Sequence, residues 1–282
     1  MIFGLSLSLL PCMVLSDFTG SPKHDFELLP ENLTVRHHDV KGHQYPFMVS
    51  IHWGWLNYSY GYHICGGAII SPIYVLSAAH CKRKTGRNVV IAGSTDFYKI
   101  SNTNQFRNVL EFILHPNFAR SVGQYCKNTS TVINIINCRV ESLVMYDIGL
   151  LRVQPFKWSP AVQPVALTDG NQLTTNAQMT LVGWGKNIYG IPSKLQHTMK
   201  IILPVNVCVE YFPTGIGFSR QTNMCSKVPK SPSPCLDDSG SALVQKGYIV
   251  GISSWVASRC GRFSPILFVK VADFYSWIKS IV

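Results

Sequence analysis

From Pro46 to the end of the chain, short runs rich in Val, Ile, Tyr and Phe alternate with Gly, Pro and Asn. FMVSIHW, AIISPIYVLSAAH, NVVIAGS, MTLVGWG and YIVGISSW are examples. Runs of this length and spacing, bounded by turn formers, predict strands of an all-β barrel or sandwich. The last segment differs. Val271, Phe274, Tyr275, Trp277 and Ile278 recur at helical intervals and predict a C-terminal helix over 271–282. No internal repeat is visible, and low-complexity sequence is confined to the Pro/Ser patch Pro229–Pro234.

Composition narrows this picture. With 282 residues the chain is long enough for one large β domain or two small fused ones. Only 14% of residues are charged and 46% are apolar, which argues against disorder. Ile2 to Leu15 is apolar and uncharged and ends near the small residue Ser16, so 1–16 reads as a secretory signal peptide. Of nine cysteines, Cys12 lies in that leader, and the remaining eight in an exported chain imply disulfides. Asn32, Asn57 and Asn128 each open an N-x-Ser/Thr glycosylation motif, in keeping with a secreted, extracellular protein. The net charge of +11 is spread along the chain. Its densest run, Lys82-Arg83-Lys84, reads as a solvated loop, and no nucleic-acid or membrane partner is expected. The nine histidines show no metal-site spacing beyond the adjacent pair His37-His38, and no acidic cluster suggests calcium.

Three segments carry the chemistry: LSAAHC ending at Cys81, MYDIGLL around Asp147, and CLDDSGSAL around Ser239. Together with Cys65-Gly66-Gly67, Gly183-Trp184-Gly185 and Ser253-Ser254-Trp255, this order resembles the trypsin- and chymotrypsin-like serine proteases from about Thr34 to Val282. The resemblance implies an all-β, chymotrypsin-like fold of two six-stranded antiparallel β-barrels, about 34–155 and 165–270, closed by the C-terminal α-helix, with the site in the cleft between them. A short pro-segment, 17–33, would precede the protease domain, 34–282. It implies a serine endopeptidase acting on protein or peptide substrates, with no cofactor and no metal. It also implies a monomer, with a protein inhibitor or an activating protease as candidate partners. Ser239 would be the nucleophile, His80 the general base and then acid, and Asp147 the residue that orients the imidazole. Ser254 is similar to the serine that hydrogen-bonds the aspartate. The implied disulfides are Cys65–Cys81, Cys208–Cys225 and Cys235–Cys260. Cys126 and Cys138 are paired with each other because both fall inside an apparent insertion.

That insertion separates the HPNF segment, His115–Phe118, from Asp147 by about thirty residues where the family has about ten. In these folds the loop overhangs the substrate cleft. A tolerated surface insertion and a loop that restricts substrates or offers a surface to a partner both remain open.

Other departures bear on catalysis. The family's oxyanion hole uses the backbone N–H groups of the serine and of a glycine two residues earlier, and that glycine is Asp237 here. The aspartate before the serine, Asp238, would pair with a new N-terminal ammonium after activation. Here the activation stretch reads Leu33-Thr34-Val35-Arg36-His37, without the expected glycines. A cut after Arg36 leaves the terminus about three residues short, roughly 10 Å of extended chain, and a cut after Leu33 needs an activator that accepts leucine. The pocket reads as shallow and elastase-like. Ser233 stands where trypsin-like enzymes keep an aspartate, Val256 and Ile266 replace wall glycines, and Ser254 and Trp255 complete the lining. Two readings follow: a secreted endopeptidase weakened at Asp237 and at its activation site, and a non-catalytic protease homologue acting as a binding or scaffold protein.

Overall fold

The computed structural model describes residues 38–54, 61–83, 86–96, 99–118, 145–171, 178–185, 194–212, 218–226, 239–256 and 265–282. The chain divides into two compact units, Met1–Leu33 and Thr34–Val282, and every described residue lies in the second. The apolar runs form strands as their pattern predicts. In the first half these are β2 (Met48–Gly54), β3 (Tyr62–Ser71), β4 (Tyr74–Ser77), β5 (Arg87–Ala92), β6 (Gln105–Leu114) and β7 (Gly149–Val153). They pair antiparallel in the order β2-β3-β4-β7-β6-β5, and β5 returns to β2 with Val49 opposite Ala92, which closes the barrel. Closure leaves none of these six strands with an open edge. By register Val49, Ile51, Ile69, Val90 and Leu151 share one face of the barrel wall and Leu76 and Leu150 the other, and all are fully or almost fully buried.

The second half is an eight-stranded sheet. Its order is β1 (His38–Asp39), β10 (Gln196–Ile201), β9 (Gln178–Gly183), β12 (Ala242–Gln245), β13 (Tyr248–Val256), β14 (Ile266–Lys270) and β11 (Asn223–Cys225). The short strand β8 (Ala166–Leu167) adds to β13 in parallel. The arrangement is all-β and chymotrypsin-like, as the sequence led us to expect. At the C-terminus a 3-10 turn, Val271–Phe274, leads into an α-helix, Tyr275–Lys279. Val271, Phe274 and Ile278 are the buried face of this segment. The helical periodicity of the sequence falls on that face.

Two of the expected disulfides lie within the described residues. Cys65–Cys81 ties β3 to the 3-10 turn Ala79–Cys81, and Cys208–Cys225 ties the helix Val205–Tyr211 to β11. Cys126, Cys138, Cys235 and Cys260 lie outside the described residues.

Candidate functional site

His80 sits in the middle of the turn Ala79–Cys81 that follows β4. The short turn is fastened at Cys81 by its disulfide to Cys65. Asp147 lies just before β7, which pairs with β4 in a register that sets Ser77 opposite Gly149. The two loops therefore leave adjacent strands at the same end of the barrel, and their side chains meet. The His80 backbone N–H donates to Asp147 Oδ1 at 2.8 Å, and His80 Nδ1 lies 2.7 Å from Asp147 Oδ2. Ser254, on β13 of the other half, donates its hydroxyl to the same Oδ2 at 2.7 Å.

The Asp147 side chain is 1% exposed and the His80 side chain 11%. A carboxylate removed from water keeps its charge only where hydrogen bonds and a partner compensate. Three donors from two halves of the molecule do so here. Because an ionised carboxylate only accepts, the hydrogen of the contact resides on His80 Nδ1. A neutral His80 ring then carries its lone pair on Nε2, the tautomer that general-base work requires.

Ser239 is half-buried and opens the turn into β12. Its carbonyl accepts the N–H of Gly66 at 2.9 Å. Gly66 is the neighbour of Cys65, whose disulfide partner Cys81 is the neighbour of His80. The Ser77 hydroxyl donates to the Gly66 carbonyl at 2.7 Å. On the other side, Gly240 N–H donates to the Ser253 carbonyl at 2.8 Å, and Ser253 N–H to the Ser241 carbonyl at 2.9 Å. The serine turn is thus stitched to β3 of the first half and to the Ser253-Ser254 stretch of β13. Gly240 adopts φ +83, and a Cβ there would run into the Gly66 carbonyl and the Ser77 hydroxyl, so this turn requires glycine.

Other expected site residues are placed unevenly. Trp255 packs its indole against Phe212 at 5.9 Å between ring centroids. Ile266 is buried in a cluster with Met179, Leu181, Leu243 and Phe268. Asp237, Asp238 and Ser233 lie outside the described residues, as do Asn32, Asn57, Asn128, the activation stretch 33–37, the insertion 119–144 and the side chain of Val256. Cys65, His80 and Cys81 converge closely enough to suggest a metal centre, but the two sulfurs are bonded to each other and offer no thiolate.

One polar cluster was not legible from sequence. Ser50 Oγ lies 2.6 Å from His63 Nδ1 and 2.7 Å from His52 Nε2, while His52 Nδ1 lies 3.3 Å from the Gly61 carbonyl. His63 also packs on Trp184, with ring centroids 6.1 Å apart. Spacing along the chain holds no signal for this trio, because it forms only once β2 pairs with β3 in the register His52 opposite His63.

A model of the trypsin family, described as Trypsin, matches residues 34–278. Trypsin of Pleuronectes platessa is 27% identical over 248 residues, covering 86% of this chain and 87% of that protein. Kallikrein 1-related peptidase b1 of Mus musculus is 30% identical over 232 residues, covering 79% and 81%. A collagenase of Hypoderma lineatum is 26% identical over 221 residues, covering 76% and 75%.

Proposed function

Since this chain belongs to the trypsin family, we propose that it is a secreted serine-type endopeptidase that hydrolyses peptide bonds through an acyl-enzyme. The observation that carries the reading is the buried Asp147 carboxylate, held by His80 and Ser254 in the orientation that leaves His80 Nε2 as the working nitrogen. In this reading Ser239 Oγ attacks the scissile carbonyl carbon as its proton passes to His80 Nε2. The tetrahedral oxyanion then collapses and expels the amine, which takes that proton. A water, deprotonated in turn by His80, cleaves the ester and restores Ser239. The oxyanion would be met by the N–H groups of Ser239 and Asp237, with the Asp237 carboxylate opposing the developing charge. A non-glycine residue that turned its N–H away would remove one such donor, which costs about 10²–10³ in rate, and turnover would then be low.

The pocket formed by Ser233, Ser254, Trp255, Val256 and Ile266 would accept small apolar P1 residues. Residues 1–16 act as a signal peptide, Cys126–Cys138 and Cys235–Cys260 complete the disulfides, and Asn32, Asn57 and Asn128 carry glycans. Asp237 and the atypical stretch Leu33–His37 favour a second reading, a protease homologue that binds without cleaving.

A fluorophosphonate probe separates the two. Secreted protein should be labelled at Ser239, mapped by mass spectrometry, and both Ser239→Ala and His80→Ala should abolish the adduct. If the parent protein takes up no probe after exposure to trypsin-, chymotrypsin- and elastase-type activators, the endopeptidase reading fails and the binding reading stands.

A further inference from the structure

Strand β1 is only two residues long, and its first residue, His38, lies directly opposite His197 of β10. Directly opposed residues of antiparallel strands project from the same face, with Cβ atoms about 4.5–5.5 Å apart. The two imidazole centroids are 5.7 Å apart, with the ring planes at 72°. From this juxtaposition we infer that His38 and His197 form a two-histidine binding site for a divalent transition-metal ion of the zinc, copper or nickel type.

The distances fit that chemistry. Metal–imidazole bonds of about 2.0–2.1 Å place the ion about 3 Å from each ring centroid, so tetrahedral coordination sets two ligand rings about 5 Å apart. Less than an ångström of closure separates the observed pair from that spacing. The outer shell is also in place. Tyr45 Oη lies 2.7 Å from His197 Nδ1, and its ring stands edge-on to His197 at 5.5 Å. Gln44 Nε2 donates to the same phenol oxygen at 3.3 Å, and the Tyr45 ring is braced by Phe47 at 6.0 Å. A polar partner on the non-ligating nitrogen is what orients ligand histidines and sets their tautomer. With Nδ1–H donating to Tyr45 Oη, the lone pair of His197 is on Nε2.

His197 is half-buried and His38 exposed, so water can fill the remaining coordination positions. Among the described residues no carboxylate joins the pair. Asp39 follows His38 but projects from the opposite face of the strand, where it accepts from Lys194 at 3.3 Å and Gln196 at 3.0 Å. Two imidazoles with water suit zinc, copper and nickel, whereas calcium and magnesium require oxygen donors. The bound ion would fasten the first strand of the sheet to β10 on the edge farthest from β11.

The test is a calorimetric titration of full-length, chelator-treated protein with Zn²⁺, Ni²⁺, Ca²⁺ and Mg²⁺. One saturable site for Zn²⁺ and Ni²⁺ is expected, with no heat from Ca²⁺ or Mg²⁺. His38→Gln and His197→Gln should each weaken Zn²⁺ binding by at least about tenfold, and Tyr45→Phe by about tenfold through the outer shell. His43→Gln and His80→Gln should leave it unchanged. Electron paramagnetic resonance of the Cu²⁺-loaded parent protein should show two imidazole nitrogens, a readout that requires no variant to fold. Absence of saturable binding up to about 1 mM Zn²⁺, binding unaffected by His38→Gln and His197→Gln, or a single-nitrogen copper spectrum would each overturn the site.

Discussion

Asp147 accepts three hydrogen bonds because its backbone is bent to meet them. The preceding residue, Tyr146, holds φ +56, a left-handed conformation that costs a bulky residue on the order of 1–2 kcal/mol. A 2.7 Å bond from Ile148 N–H to the Tyr146 carbonyl closes a tight turn around Asp147. The Tyr146 ring is stacked on His115 at 5.4 Å and 8°. Gly240 plays the corresponding part on the serine side. Gly240→Ala is expected to destabilise the protein by about 2–5 kcal/mol, the sum of a left-handed Cβ and a clash with backbone. A urea melt reads the loss, and an unchanged midpoint would show that the turn next to Ser239 tolerates a side chain. The motifs name His80, Asp147 and Ser254 as candidates. That Tyr146, the neighbour of Asp147, stacks on His115 is not written in any spacing, because the two are brought together only by β6 pairing with β7.

At the scale of elements, the same stack joins the end of β6 to the C-terminal segment. His115 packs edge-on to Phe274 and Trp277, both at 5.0 Å. Burial among these rings lowers the His115 pKa below its ordinary value of 6.5. The unfolded chain therefore takes up a proton near pH 6.5 while the folded ring still refuses it. The stability that this difference contributes is full above pH 6.5 and is lost as pH falls through the folded pKa. Between pH 7.5 and pH 5 the parent protein should accordingly lose more stability in urea than His115→Phe, and equal losses would refute the assignment. Disulfide Cys65–Cys81 stabilises the other loop of the site. A closed loop of 16 residues in sequence separation corresponds to about 3 kcal/mol, and the double variant Cys65→Ala/Cys81→Ala should show that loss in thermal unfolding. The long strands and the terminal helical face were legible as apolar periodicity. The short strands β1, β8 and β11 were not, since two or three residues carry no period and exist only through their partners.

Across the whole molecule the two halves share one interior. A single apolar cluster runs from Val49, Leu76 and Leu150 in the barrel to Val182, Ala242, Ile252, Val269 and Ile278 in the second sheet. The bonds Ser254–Asp147 and Gly66–Ser239 cross the same boundary. Neither half can open without exposing that core, so both should unfold together. Tryptophan fluorescence and probe labelling at Ser239, followed through one urea titration, are expected to lose signal at the same midpoint. Two separated transitions would show that the halves are independent.

The order of residues alone determined the strand-forming runs, the punctuation between them, the buried face of the C-terminal segment and the motifs that resemble serine proteases. These are local properties, set by side-chain chemistry and period. Tertiary structure decided everything that depends on register and closure. Asp147 meets His80, 67 positions earlier in the chain, because β4 lies beside β7, and meets Ser254, 107 positions later, because the two halves share a core. His38 faces His197 because a two-residue strand finds one edge of the second sheet. Hydrogen bonds act over about 3 Å, and only a folded chain brings residues so distant in sequence within that range.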